Sequence, residues 1–158
     1  MRALIYACDL NRGIGFNGQL PWPSVIPDMA RFKSLTRDST IIMGKKTFQS
    51  LKGPLPYRRN VVVSTTLGSV EGVTVCDSIE SALTFSTGDV FFIGGTQIYL
   101  ESAKHCDAIY ETVINSTFRC DTFLSESVLE GFKMMSALKA YDHATTLTMT
   151  FNEYRRAS

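Results

Sequence analysis

No cysteine pair in this chain is spaced as CxxC. The four cysteines, Cys8, Cys76, Cys106 and Cys120, are scattered, and the two histidines, His105 and His143, complete no metal-ligand pattern. No metal site is expected. The cysteines read as small buried apolar residues of a reducing compartment, which places the chain in the cytoplasm. An excess of one charge is also missing. Sixteen basic residues against fifteen acidic ones leave a net charge of +1, which offers no broad attraction for nucleic acid or an anionic membrane. No apolar run approaches a membrane span. The apolar part of MRALIYACD is too short for a signal peptide and runs straight into structure. Repeats, low-complexity tracts and linkers are absent, so the 158 residues are expected to form one domain with a proper core.

Tryptophan occurs once, as Trp22, inside the most informative stretch, GIGFNGQLPWPSVIPDMARFK from Gly13 to Lys33. Gly13, Gly15 and Gly18 allow a mobile loop, and Pro21, Trp22 and Pro23 stiffen its exit. Pro27 suits a first helical position, because its missing N–H would be unpaired there. A helix is expected from about Val25 to Thr36. Asp28 and Phe32 are four apart and share a face. Asp28 therefore has two readings: an acid favouring the helix N-terminus through the dipole, or a half-buried acid with a raised pKa and a proton to manage.

The rest of the chain alternates apolar runs with short helical segments. Strands are expected at Ala3–Cys8, Thr40–Met43, Asn60–Ser64, Val73–Cys76, Asp89–Ile93 and Asp107–Ile114. Helices are expected at Lys45–Leu51, after a cap at Asp77 or Ser78, and at Thr96–Ala103. Arg119–Phe123 reads as a loop. Thr145–Tyr154 alternates and should form an antiparallel strand, in a hairpin with Phe132–Leu138. This order indicates an α/β protein with a largely parallel sheet, whose ligands gather at the carboxyl ends of the strands.

Several segments at those ends could carry chemistry. Gly94-Gly95-Thr96 lets backbone N–H groups approach a phosphate, or is a tight turn only. It is not GxGxxG, so an ordinary dinucleotide fingerprint is absent. Gly44-Lys45-Lys46-Thr47 puts two cations at a helix start, against the helix dipole, which suggests a negatively charged ligand. With Ser64-Thr65-Thr66 it could hold the phosphate on an adenosine ribose, which means NADP rather than NAD. Arg58 and Arg59 follow a rigid proline loop, and one of them could fix a substrate carboxylate with two parallel N–H donors.

Gly13-Ile-Gly15, Leu20-Pro-Trp22, Asp28 with Phe32, Ile42-Met-Gly-Lys-Lys-Thr47, Leu55-Pro56 with Arg58, and Ile93-Gly-Gly95 with Tyr99 stand in the order and spacing of dihydrofolate reductase. The chain resembles a compact bacterial- or phage-type member over nearly its whole length. The resemblance implies a predominantly parallel eight-stranded sheet flanked by about four helices, with an antiparallel C-terminal strand. It implies hydride transfer from NADPH to 7,8-dihydrofolate, giving 5,6,7,8-tetrahydrofolate for one-carbon metabolism and thymidylate synthesis. It also implies binding of antifolate inhibitors and a monomer.

By the same resemblance Asp28 is the pterin-binding acid that assists proton delivery to N5. Trp22 orders a water there, and Thr112 supports the acid. Ile5, Tyr6, Ala7, Phe32, Lys33, Leu55 and Ile93 surround the substrate, and Arg58 binds its glutamate carboxylate. Ala7, Ile14, Gly15, Leu20, Ile93, Ile98 and Tyr99 border the cofactor, with Asn11–Gly18 as a lid. Gly94 and Gly95 match a pair joined by a cis peptide. Gly95, Thr96 and Gln97 face the pyrophosphate. Gly44, Lys45, Lys46 and Thr47 hold phosphates, and Ser64 with Thr65 the 2′-phosphate.

The chain departs from the family pattern at four points. Five residues, Pro23 to Pro27, separate Trp22 from Asp28 where compact bacterial members commonly have four. Tyr57 replaces a usual glycine before Arg58, Phe48 stands where many members have tryptophan, and the aromatic residue after Asp121 lacks its usual proline. Two other readings compete. One is the pyrimidine reductase of riboflavin synthesis, whose substrate lacks the pterin–glutamate arrangement that Asp28 with Arg58 suits. The other is a non-catalytic folate- or NADP-binding structural protein.

Overall fold

The computed structural model describes residues 1–158. Its elements in chain order are β1 (Arg2–Cys8), β2 (Gly13–Gly15), α1 (Ile26–Thr36), β3 (Thr40–Gly44), α2 (Lys45–Ser50), β4 (Arg59–Val63), β5 (Val73–Cys76) and α3 (Ile79–Thr84). They continue with β6 (Val90–Gly94), α4 (Thr96–Ser102), β7 (Ala108–Ile114), β8 (Thr122–Phe123), β9 (Phe132–Tyr141) and β10 (Thr148–Arg156). Eight strands form one sheet in the order β5-β4-β3-β6-β1-β7-β10-β9. From β5 to β7 all neighbours are parallel, and β10 runs antiparallel to both β7 and β9.

The apolar runs become central strands because both of their faces are covered. Leu4, Ile42, Val61 and Phe92 point to the α3/α4 side, with Ile79, Ala82, Ile98 and Tyr99. Ile5, Ile41, Met43, Val62 and Phe91 point to the α1/α2 side, against Phe32, Leu35 and Phe48. Each such fully buried side chain contributes roughly 2 kcal/mol, so the centre of the sheet is the rigid platform. The alternating C-terminal run forms the expected hairpin. Its edge strand β9 is longer than the pattern suggests and mostly exposed, with a bulge opposite Glu153 and Tyr154.

Two expectations are corrected. The Arg119–Phe123 segment is not all loop: Thr122 and Phe123 pair with Gly13–Gly15 as a separate two-stranded ribbon. A two-residue strand is too short to show a period. What permits it is the absent side chain of Gly13, where a Cβ would stand 2.2 Å from Cys120 Sγ. Pro27 falls second rather than first in α1, after Ile26, and Val25 caps the helix with no side-chain bond. Trp22 and Val25 are both buried, in one cluster with Ile114 and Met149, while Ile26 turns to solvent.

Candidate active site

Asp28 occupies the first turn of α1 and makes no capping bond to the helix backbone. Its Oδ1 accepts a hydrogen bond from Thr112 Oγ1 at 2.7 Å. Burial pushes the carboxyl above the usual aspartate range, and the Thr112 bond and the charge of Arg31 only partly oppose this. Asp28 is thus both a first-turn acid and a half-buried one. Thr112 lies on β7, with Ala7 of β1 and Phe151 of β10 as its cross-strand partners. The acid therefore sits above one face of the sheet, near the carboxyl ends of β1 and β7.

An apolar wall continues this face. Ile5, Phe32, Leu55 and Ile93 pack in one cluster with Leu35, Phe48 and Leu51. Tyr6 is different: its side chain leaves on the opposite face, where its hydroxyl donates to Glu111 Oε2 at 2.6 Å. Only its backbone borders the Asp28 side. Trp22 stacks edge-on against Phe118, with ring centroids 5.7 Å apart, and fixes the chain's entry into α1.

Arg58 is held in place by three acceptors. Nε donates to Thr36 Oγ1 at 2.8 Å, and the terminal nitrogens donate to the carbonyls of Pro56 at 2.5 Å and Lys33 at 3.0 Å. Three of the five N–H groups are used, and one on each terminal nitrogen is left without a partner. Burial and the charge of Arg37 both lower the guanidinium's pKa, and the charge of Asp38 partly opposes them. Lys33 contributes here through its carbonyl. Tyr57 keeps the left-handed backbone that glycine would supply, at φ 61°, with the Arg37 guanidinium 4.3 Å from its ring. Asn60 buckles this loop by bonding Leu55 N at 2.9 Å and Leu55 O at 2.9 Å.

A second group of residues gathers at the ends of β3, β4 and β6. Gly94 and Gly95 are joined by a cis peptide. A Cβ on Gly94 would stand 3.3 Å from both Thr47 Oγ1 and the Tyr99 hydroxyl, so the start of α2 lies against the glycine pair. Gly44 is similarly close to Ile98. Tyr99 is buried and donates to Ile5 O at 2.9 Å, and the amide of Gln97 is occupied by Glu101. The buried Thr96 Oγ1, at the start of α4, has no partner. α2 opens with Lys45 and Lys46 and has no acid in its first turn. Lys45 Nζ donates to Thr66 Oγ1 at 3.0 Å, and Ser64 Oγ accepts from the backbone of Thr66 and Leu67. Ser64 and Thr65 border an open cleft of about 470 Å³, with Cys76, Asp77, Ser81 and Phe85.

The loop from Asn11 to Gly18 is tied at both ends by residues that sequence reasoning missed. Asp9 accepts from Asn11 N, Gly13 N and Phe118 N at 2.8 to 3.0 Å. At the far end Asp121 Oδ2 accepts from Asn17 N at 2.9 Å. Arg12, at φ 66°, forms an ion pair with buried Glu111 at 2.6 Å and donates to Leu124 O. Glu111 also accepts from Asn152 Nδ2 at 2.9 Å. Ile14 packs against the main core, while Leu20 is exposed. An acid inside the otherwise apolar run Asp107–Ile114 was the one visible signal for Glu111. Thr66 was read from the sequence, with Ser64 and Thr65, as part of a segment that could hold a phosphate.

Comparison with known proteins is uniform. The family model described as dihydrofolate reductase matches residues 1–156. A dihydrofolate reductase of Staphylococcus aureus is 40% identical over 151 residues, covering 94% of each chain. One from Bacillus subtilis is 38% identical over 140 residues, covering 87% of this chain and 83% of its own length. The solved structure of an Enterococcus faecalis dihydrofolate reductase, complexed with NADP(H) and RAB-propyl, superposes with a TM-score of 0.93 at 30% identity. It covers all of this chain and 97% of that one.

Proposed function

The chain belongs to the dihydrofolate reductase family and reduces 7,8-dihydrofolate to 5,6,7,8-tetrahydrofolate with NADPH, and we propose that Asp28 with Thr112 manages the accompanying proton. The observation that carries this reading is the 2.7 Å bond from Thr112 to a half-buried acid of raised pKa above the sheet. With one oxygen held by Thr112, the carboxylate's other oxygen is free to accept from the amino and ring N–H groups of a pterin. Burial strengthens those contacts and makes the site responsive to one proton.

The residues fit the cofactor. Thr96 supplies an unpartnered buried hydroxyl beside the glycine pair, and α2 supplies two cations where a helix start prefers acids. NADPH, when bound, supplies the hydride. In this reading Gly94, Gly95, Thr96 and Thr47 hold its pyrophosphate. Lys45, Lys46, Ser64, Thr65 and Thr66 hold the adenosine phosphate end. Ala7, Ile14, Leu20 and Ile93 border the nicotinamide, Ile98 and Tyr99 brace that region by packing, and the ribbon-backed loop covers it and excludes water. Ile5, Phe32 and Leu55 pack on the substrate, and Arg58 takes its carboxylate. Trp22 orders water beside the acid.

We read the protein as one cytoplasmic domain acting as a monomer, with Cys8, Cys76, Cys106 and Cys120 free. Light scattering of the purified protein checks the monomer. The direct test of function is NADPH absorbance on adding dihydrofolate. A substrate-dependent fall, faster than with NADH, is expected. Binding of NADPH without a fall would return weight to a pyrimidine reductase or a non-catalytic binding protein.

A further inference from the structure

The cation nearest the reactive acid along α1 is Arg31, one helical turn on from Asp28. Its guanidinium is held by two rings of the neighbouring strands, lying 4.6 Å from the ring centroid of Phe151 on β10 and 5.6 Å from that of Tyr110 on β7. Phe151 is the cross-strand partner of Thr112, the residue that bonds Asp28. The rings therefore place the cation alongside the Thr112–Asp28 pair.

The charge of Arg31 is not cancelled locally. It forms no ion pair with any carboxylate. Glu153, the acid on the adjacent part of β10, is bound by Arg155 Nε at 3.0 Å, and Arg155 also reaches the Tyr110 hydroxyl at 3.1 Å. The groups facing Asp28 can be counted by element. α1 offers Arg31, and β7 offers Thr112, with Tyr110 beyond it. α4 offers the buried Tyr99, and β1 offers only Ile5 and Ala7. Arg31 is thus the one cation among these groups. Burial of Arg31 lowers its own pKa, and the charges of Asp28, Tyr110 and Glu153 oppose this, Asp28 the most.

We propose that Arg31 is a positioning residue for Asp28: clamped over Phe151 and Tyr110, its cation favours the ionised carboxylate and so sets the pH range over which the site turns over. This rests on the assignment of Asp28 as the reactive acid. Burial alone disfavours the carboxylate, which narrows the pH range over which it can accept two N–H groups. A fixed cation one helical turn away widens that range. Its reach is moderated because the site opens to solvent.

The test is carboxyl-carbon NMR titration of Asp28, with Asp28→Asn identifying the resonance, alongside the pH profile of kcat/KM. Arg31→Met should move the Asp28 midpoint upward by about half a pH unit, and the corresponding limb of the profile should move with it. Arg31→Lys keeps the charge and should restore most of the shift. Phe151→Leu keeps the cation but removes its platform, and should give an intermediate midpoint even if Arg31→Met folds poorly. An unmoved Asp28 midpoint in Arg31→Met, or in Phe151→Leu where only the latter folds, overturns the proposal. A purely structural stacking role would lower the melting temperature without moving either titration. A moved midpoint with an unmoved profile overturns the link to turnover. If Asp28→Asn is then fully active, the failure belongs to the assignment of Asp28 rather than to Arg31.

Discussion

Strand β7 separates two acids that behave in opposite ways. Glu111 and Thr112 are consecutive, so their side chains leave on opposite faces. Behind the sheet, Glu111 is saturated: Tyr6 and Arg12 donate to one oxygen, and Asn152 and Tyr154 to the other. In front, Asp28 is bonded only through Thr112 and has its carboxyl raised by burial. The first arrangement uses every lone pair to hold β1, β7, β10 and the base of the Asn11–Gly18 loop together. The second leaves an oxygen and a proton-dependent charge in reserve. Saturation makes an acid structural, and under-saturation makes it reactive.

The largest expected effect breaks the reactive side. Asp28→Asn should keep the fold while lowering turnover about a hundredfold or more. The loss should be smallest at low pH, where substrate arrives protonated, and steady-state rates across pH would show it. Full activity at neutral pH would remove Asp28 from the mechanism. Next comes the structural side. Glu111→Gln leaves the Arg12 cation buried without its partner and should cost about 3 kcal/mol. Chemical denaturation is the check, and a loss under about 1 kcal/mol would mean that the cluster contributes little.

Lys45 and Lys46 sharpen the contrast at a third site, where cations await an anion. Replacing both by alanine should raise KM for NADPH about tenfold while barely changing that for NADH, since charge-assisted bonds to the extra phosphate are lost. Equal losses with the two cofactors would sink the 2′-phosphate assignment. The smallest effect concerns Tyr57. Tyr57→Gly relieves a left-handed backbone at φ 61° but loses the stack with Arg37, so stability should rise by less than about 1 kcal/mol. A clear drop in melting temperature would show that the stack dominates.

The strand and helix order was legible because β1, β3, β4 and β6 are apolar runs bounded by glycine or polar turns. The Asp28–Thr112 pair, by contrast, rested on resemblance, since 84 residues separate its partners. The ribbon between Gly13–Gly15 and Thr122–Phe123 was hidden, because strands this short carry no period. The side-chain direction of Tyr6 was also missed. Alternation places it opposite Ile5 and Ala7, but a strand apolar on both faces gives no sign of which face holds the site. Arg12 and Glu111 were hidden for a related reason: a buried ion pair depends on register across strands, which one sequence does not display.

Acid titration separates the two classes further. Asp9 is partly desolvated, yet its bonds from Phe118, Gly13 and Asn11 outweigh that and hold its pKa below the usual value. Its stabilisation is present above the unfolded pKa and is lost as pH falls through the folded one. Asp28 has the reverse sign. Its raised pKa means that ionisation costs folding free energy, absent below the unfolded pKa and full above the folded one.

The most direct test is therefore the denaturation midpoint of Asp28→Asn and Glu111→Gln side by side at neutral pH. These are the same acid-to-amide change on the two sides of β7. The first should be more stable than the parent and nearly inactive, and the second clearly less stable. If both lose stability equally, or if Asp28→Asn loses the more, then Asp28 is a structural acid like Glu111 and the division between the two faces does not hold.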